Sequence, residues 1–133
     1  MKTLALLPLL FLCIWSSGCK KEEVVVPQNL NQTIIQDVQT GAWTLNTETG
    51  TYMVTIKMPE IDNDVNDIDG IIVSVSAGGT GAYEAIPNVY NGVSFSYTHQ
   101  PGSLTLEVQD ADGAGASKPG SMIRVKIVIV RSN

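Results

Sequence analysis

The chain has 133 residues and a formal net charge of −5 at pH 7, because 13 Asp and Glu outnumber 8 Lys and Arg. This acidic balance disfavours nucleic acid as a partner, since phosphates are bound by basic surfaces, and it also disfavours docking on anionic lipid head groups. The length predicts one domain with a single modest core.

The N-terminal segment has the pattern of a secretory signal. Lys2 precedes the apolar run Leu4–Trp15, and small residues follow it. The run is shorter than the about 20 residues that a membrane-spanning helix requires. Cleavage after residue 18 would remove Cys13 and leave Cys19 as the one remaining cysteine, so we expect no intramolecular disulfide.

Ser16-Ser17-Gly18-Cys19 resembles the lipobox of bacterial lipoproteins, although a leucine is usual where Ser16 stands. The resemblance implies that Cys19 is lipidated and becomes the first residue of the mature chain. The alternative is an ordinary signal peptide whose removal leaves Cys19 unmodified.

The residues after Cys19 predict a tether. Lys20-Lys21-Glu22-Glu23 resembles the surface-export tag of some Bacteroidota lipoproteins, and a solvated linker is the alternative interpretation. We expect attachment to the outer membrane through the lipid, with the outward face favoured. The predicted organisation is a signal peptide at 1–18, a lipidated cysteine and tether at 19–31, and a domain at 32–133.

Period-two alternation of apolar and polar residues dominates the domain and predicts β-strands. The clearest strands are Tyr52–Met58, Ile71–Val75, Val93–Tyr97, Leu104–Val108 and Ile123–Ile129. Weaker strands are predicted at Thr33–Val38, Trp43–Asn46 and Tyr83–Tyr90. Val128 and Val130 interrupt the polar side of the last strand, which predicts a central position in its sheet.

Turn chemistry separates these strands. Gly78–Gly81 links two of them, Asn91-Gly92 is a strong signal for a β-hairpin, and Pro101-Gly102 suits another turn. Short links require antiparallel neighbours. The sequence therefore predicts an all-β fold, an antiparallel β-sandwich of about seven strands with one short helix.

The short helix is predicted from Ile61, Val65 and Ile68, which recur at helical spacing. Pro59 with Glu60 suits its start, and Gly70 stands where a C-cap would. We expect the helix to cross one end of the sandwich.

Clustered carboxylates raise the question of calcium, which prefers oxygen ligands. The candidate metal ligands are Asp62, Asp64, Asp67, Asp69, Asp110 and Asp112. The EF-hand pattern fails, because Asp67 replaces the required glycine and no glutamate closes the loop. We favour a solvated face for Glu60 and the acids of the helical segment, ordinary turn chemistry for Asp110 and Asp112, and no cofactor.

Catalytic patterns are weak in this sequence. His99 is the one histidine, no Gly-x-Ser-x-Gly motif accompanies it, and an exposed turn position is the simplest interpretation. Six aromatic residues could form a sugar-stacking face: Trp43, Tyr52, Tyr83, Tyr90, Phe95 and Tyr97. The alternation places Tyr52, Phe95 and Tyr97 on core faces, which leaves Tyr83 and Tyr90 as candidates.

The order of several segments resembles a small β-domain of secreted Bacteroidota lipoproteins, in some of which it follows collagen-like repeats. The segments are Trp43-Thr44, Tyr52–Ile61, Gly70–Val75, Ile86-Pro87, Ser94–Tyr97, Asp110–Gly113, Pro119-Gly120 and Arg124–Ile129. The resemblance implies the β-fold and the cell envelope, and it brings no activity. We expect a non-enzymatic binding or structural module with a protein or glycan partner. The alternative is a calcium- or glycan-binding accessory lipoprotein.

Overall fold

The structure, a computed structural model, describes residues 30–132. The predicted signal peptide, Cys19 and nearly all of the predicted tether lie outside the described residues and stay predictions. Between residues 30 and 132, no helix is both long enough and apolar enough to cross a bilayer.

Nine strands and one short α-helix form the described part of the chain. The strands are β1 (Gln32–Val38), β2 (Thr44–Asn46), β3 (Thr51–Met58), β4 (Gly70–Ala77), β5 (Glu84–Ile86), β6 (Asn88–Tyr90), β7 (Val93–Gln100), β8 (Gly102–Asp110) and β9 (Ile123–Val130). Helix α1 spans Asn63–Ile68, and a 3-10 turn spans Thr40–Ala42.

The strands form two antiparallel sheets. The first sheet has the order β1-β9-β4-β5 and the second has the order β2-β3-β8-β7-β6. The predicted all-β antiparallel sandwich is confirmed, and β9 is central as expected. The segment predicted as a single strand over 83–90 divides at Pro87 into β5 and β6, which belong to different sheets.

The core lies between the sheets and follows the predicted alternation. Leu104, Leu106 and Val108 of β8 are buried, as are the odd-numbered residues 123–129 of β9. Tyr52, Phe95 and Tyr97 pack against this cluster and are partly buried, as their strand positions predict. The long strands therefore form here because each can place one apolar face in a common interior.

Helix α1 exists but differs from the prediction. It begins after Asp62, whose carboxylate accepts a hydrogen bond from the backbone N–H of Val65 at 2.8 Å and so caps the helix. Ile61 and Val65 are buried, whereas Ile68 is 65% exposed. Gly70 is the first residue of β4 rather than a C-cap. The helix has only six residues, and Ile68 is the last of them. This third residue of the predicted apolar face therefore lies where the chain turns into β4.

The Asn91-Gly92 turn joins β6 to β7 as predicted. Asn91 has φ 48° and Gly92 has φ 76°. Both angles lie in the left-handed region that Asn and Gly tolerate best, and two such residues match the twist of a two-residue hairpin. This turn sets the register in which Tyr90 faces Val93 and Asn88 faces Phe95.

Candidate ligand-binding groove

The two sheets separate along the edge formed by β5 and β6. On β5, Glu84 pairs with Val75, and directly paired residues share a face of the sheet. Val75 is a core residue, so Glu84 faces the interior side. On β6, Asn88 and Tyr90 face the interior side by the same argument, since their partners Phe95 and Val93 pack on the core.

A cavity of about 280 Å³ opens at this edge. Its apolar part includes Val75, Ile86, Phe95 and Ile123. Its polar part consists of Thr80, Glu84, Asn88 and the hydroxyl-bearing Tyr90. An apolar concavity with a few polar groups is the usual form of a small-ligand site.

A second cavity of about 250 Å³ continues the first one. The two share Ala77, Tyr90, Phe95 and Ile123. The second cavity extends to Lys118 and its neighbours in the loop between β8 and β9. We call the combined depression the edge groove, and Tyr90 lies where its two halves meet.

Glu84 and Asn88 are the polar pair of the edge groove. The side-chain amide of Asn88 donates a hydrogen bond to Oε2 of Glu84 at 3.3 Å. Glu84 belongs to neither of the ion pairs found in residues 30–132. A carboxylate has about four acceptor positions, so the Glu84 side chain retains acceptor capacity toward the groove.

The two candidate tyrosines differ sharply in their surroundings. Tyr90 is 57% exposed and lines both halves of the edge groove. Tyr83 instead lies beneath Lys126, whose Nζ is 4.1 Å from the ring centroid, a cation–π contact. Tyr90 therefore has an aromatic surface available to a ligand, whereas the ring of Tyr83 already has a cationic partner.

The acidic residues around α1 do not converge. Asp64 and Asp67 are exposed on the helix, and Asp62 accepts the capping hydrogen bond from Val65. Within residues 30–132, no group of three or more His, Cys, Asp or Glu side chains could hold a metal ion. Asp112 accepts a hydrogen bond from the backbone N–H of Ala114 at 2.9 Å, and the backbone of Asp110 bonds Gly113 and Gly115 in a local turn.

Asp69 corrects the expectation that all these acids lie on a solvated face. Only 6% of its side chain is exposed, and Oδ2 accepts a hydrogen bond from Arg131 at 2.8 Å. Oδ1 accepts one from the backbone N–H of Ser132 at 2.9 Å. The Ser132 hydrogen bond, with the Arg131 guanidinium, holds the pKa of Asp69 below its usual range. This carboxylate therefore fastens the end of β9 to the end of α1.

A second ion pair lies across the first sheet. Arg124 of β9 donates two hydrogen bonds to Asp37 of β1, at 2.7 and 2.9 Å. These bonds lower the pKa of Asp37 and raise that of Arg124. The register places the two residues directly opposite each other, so the pair supports the association of β1 with β9.

His99 is exposed, as expected, but it lies within β7 rather than in a turn. Its Nδ1 is 2.9 Å from the side-chain oxygen of Asn66 in α1. Trp43 is 4% exposed and belongs to the core, which removes it from the sugar-stacking candidates. Tyr97 donates a hydrogen bond from its hydroxyl to the carbonyl of Ile71 at 2.7 Å and so joins the two sheets.

Sequence reasoning identified Tyr90 but missed Glu84 and Asn88. The available signal was their parity: both occupy strand positions that face the interior, where polar residues are unexpected unless they serve a function. The signal was weak because both faces of this segment carry apolar residues, Ala85 and Val89 on one and Ile86 and Tyr90 on the other, so the sequence does not show which face is inward. Pro87 divides this segment, and its two halves, β5 and β6, belong to different sheets.

Comparison of the chain with protein-family models, with curated proteins and with solved structures found no match. The resemblance to a lipoprotein β-domain of Bacteroidota therefore stays a prediction.

Proposed function

We propose that this chain is the precursor of a lipid-anchored protein of the outer membrane, and that its β-sandwich is a non-enzymatic binding module. The observation that carries the proposal is Ser16-Ser17-Gly18-Cys19 directly after the apolar run Leu4–Trp15. Lys20, where an aspartate would favour the inner membrane, supports the outer membrane, and the charges that follow it favour the outward face.

Lipid attachment at Cys19 would give lasting membrane association. Each buried methylene contributes about 0.8 kcal/mol, so one acyl chain binds marginally while several chains anchor a protein. The predicted tether, residues 19–31, has 13 residues. At about 3.3–3.6 Å per extended residue, it could hold the start of the domain at most about 47 Å from the lipid.

The edge groove supports a binding role for the sandwich. It combines an apolar floor, an exposed aromatic residue and a carboxylate with spare acceptor capacity. The groove's titratable side chains are Glu84, Tyr90 and Lys118; we assign them to binding.

The anchor is tested by labelling the full-length chain with a palmitate analogue in a bacterial host that processes lipoproteins. Wild-type protein is expected to carry label and to sediment with outer membranes. Cys19→Ala is expected to lose the label and to leave the membrane fraction. The matched control is Cys13→Ala, which changes the other cysteine and should keep label and location.

Two results would contradict the anchor. One is retention of label in Cys19→Ala, and the other is an unlabelled wild-type protein secreted with a free Cys19 thiol. Protease treatment of intact cells then addresses orientation: digestion of the wild-type domain in unbroken cells is expected for a surface-facing protein, and protection would place it on the periplasmic face.

A further inference from the structure

We infer that the edge groove binds a neutral carbohydrate, with one sugar ring stacked on Tyr90 and its hydroxyls bound by Glu84 and Asn88. The inference deepens the proposed binding function by naming the ligand class, and it rests on that function only in assigning a binding role to the sandwich. Its test does not depend on the lipid anchor.

The position of Tyr90 supports stacking. It is 57% exposed although it faces the interior side of its sheet, because β5 and β6 separate at this edge and leave the cavity between them. An aromatic ring has a negative face, which attracts the C–H hydrogens on the apolar side of a sugar ring. Tyr90 lies where the two cavities meet, so a chain of sugars could extend in both directions from it.

The polar side chains favour a sugar over a purely apolar ligand. Glu84, Asn88 and Thr80 line the same cavity as Tyr90. An apolar ligand would remove water from the Glu84 carboxylate without replacing its hydrogen bonds, and burial of an unpaired charge is costly. Sugar hydroxyls donate to the carboxylate and both donate to and accept from an amide, so they restore these bonds.

The geometry of the edge favours a sugar over an extended peptide. A peptide that adds a strand to a sheet gains affinity from a row of main-chain hydrogen bonds. Strands β5 and β6 have only three residues each, so either one offers a very short template. The negative charge of Glu84 disfavours an acidic sugar in the first cavity, and Lys118 lines only the second one. We therefore specify a neutral sugar for the ring that stacks on Tyr90 beside Glu84.

The test uses the full-length chain in a detergent without a sugar head group. It is applied to an array of neutral and acidic glycans, and the best neutral glycan is then titrated by calorimetry. Tyr90→Ala removes the stacking ring and is expected to weaken binding about tenfold. Glu84→Gln removes the charge that accepts the sugar hydrogen bonds and is expected to weaken binding at least tenfold, because hydrogen bonds to a charged group are stronger than those to a neutral one. The matched control Tyr83→Ala removes the neighbouring ring outside the groove and should bind as the wild type does.

Each variant is first checked for an unchanged circular dichroism spectrum and melting transition. Should Tyr90→Ala unfold, Asn88→Ala provides a second probe of the same groove and is expected to weaken binding severalfold. The inference is overturned if no neutral glycan binds, if Tyr83→Ala and Tyr90→Ala weaken binding equally, or if a fatty acid or an extended peptide occupies the groove in place of sugar. An unlabelled Cys19 with intact sugar binding would refute the anchor and leave this inference standing.

Discussion

The two lateral edges of the sandwich differ in how the gap between the sheets is filled. At both edges the chain passes from the first sheet to the second, through the 3-10 turn Thr40–Ala42 between β1 and β2, and through Pro87 between β5 and β6. At the first edge, Trp43 is buried with 4% exposure. At the second edge, Glu84, Asn88 and Tyr90 occupy the inward positions and a cavity remains.

This difference shows that the choice of side chains, rather than the topology, decides whether a sandwich edge is closed. The indole N–H of Trp43 is buried and has no hydrogen-bond partner among residues 30–132. Burial of the large indole ring at this edge favours the folded state. The closed edge therefore contributes stability, whereas the open edge gives up apolar burial and keeps its polar groups accessible, as binding sites commonly do.

The largest expected effect is at the closed edge. Trp43→Ala should lower the free energy of unfolding by about 3–5 kcal/mol, because it removes a large buried ring and leaves a cavity. Tyr90→Ala at the open edge should cost less than about 1 kcal/mol, as expected for a largely exposed side chain. Urea unfolding of the full-length variants measures both values. Equal costs at the two edges would refute the distinction between them.

A smaller effect is expected at the hairpin that supports the open edge. Asn91→Val should destabilise the protein by about 1–2 kcal/mol, because it places a β-branched residue at φ 48°. Asn91→Gly is the control and should change stability by less than about 1 kcal/mol, since glycine accepts this angle. Thermal melts separate the two variants, as about 1 kcal/mol shifts the melting temperature of such a domain by roughly 4–8 °C. Equal melting temperatures would contradict the turn assignment.

Tyr97 joins the sheets between the two edges, and its removal should have a moderate effect. Tyr97→Phe deletes the hydrogen bond to Ile71, worth about 0.5–1.5 kcal/mol. Burial raises the pKa of the Tyr97 hydroxyl, so its contribution is present below pH about 10 and decreases as the pH rises toward the folded-state pKa. Stability measured from pH 8 to 11 should fall more steeply in the wild type than in Tyr97→Phe. Parallel curves would argue against the bond.

The smallest expected effect concerns the acidic helix, which lies outside both edges. Asp64 and Asp67 are exposed and do not enclose a metal site. Millimolar calcium should therefore leave the melting temperature nearly unchanged, whereas a hundredfold excess over the dissociation constant of a real site would stabilise by about 2.7 kcal/mol. Asp64→Asn combined with Asp67→Asn should be neutral or slightly stabilising, because it relieves like-charge repulsion. A calcium-induced rise lost in this double variant would instead establish a calcium-dependent module.

The sequence predicted the strands in which every second residue is apolar. Residues 104–108 and 123–129 show the expected faces, because successive strand residues point to opposite sides and only one side can be buried well. Prediction failed where local pattern and tertiary position disagree. Ile68 has helical spacing but lies exposed, and Asp69 lies among other acids but is buried against Arg131. Its partner is distant in the chain, so no local signal marks the contact.

The sequence by itself determined the antiparallel β-class, the Asn91-Gly92 hairpin and the central place of β9, because these depend on period-two burial and on backbone angles that few residues accept. Only the tertiary structure decided that Trp43 closes one edge while Tyr90, Glu84 and Asn88 border a groove at the other. The physical reason is that a strand pattern specifies which face of a sheet a residue occupies, whereas solvent access at an edge depends on what the opposite sheet places across the gap.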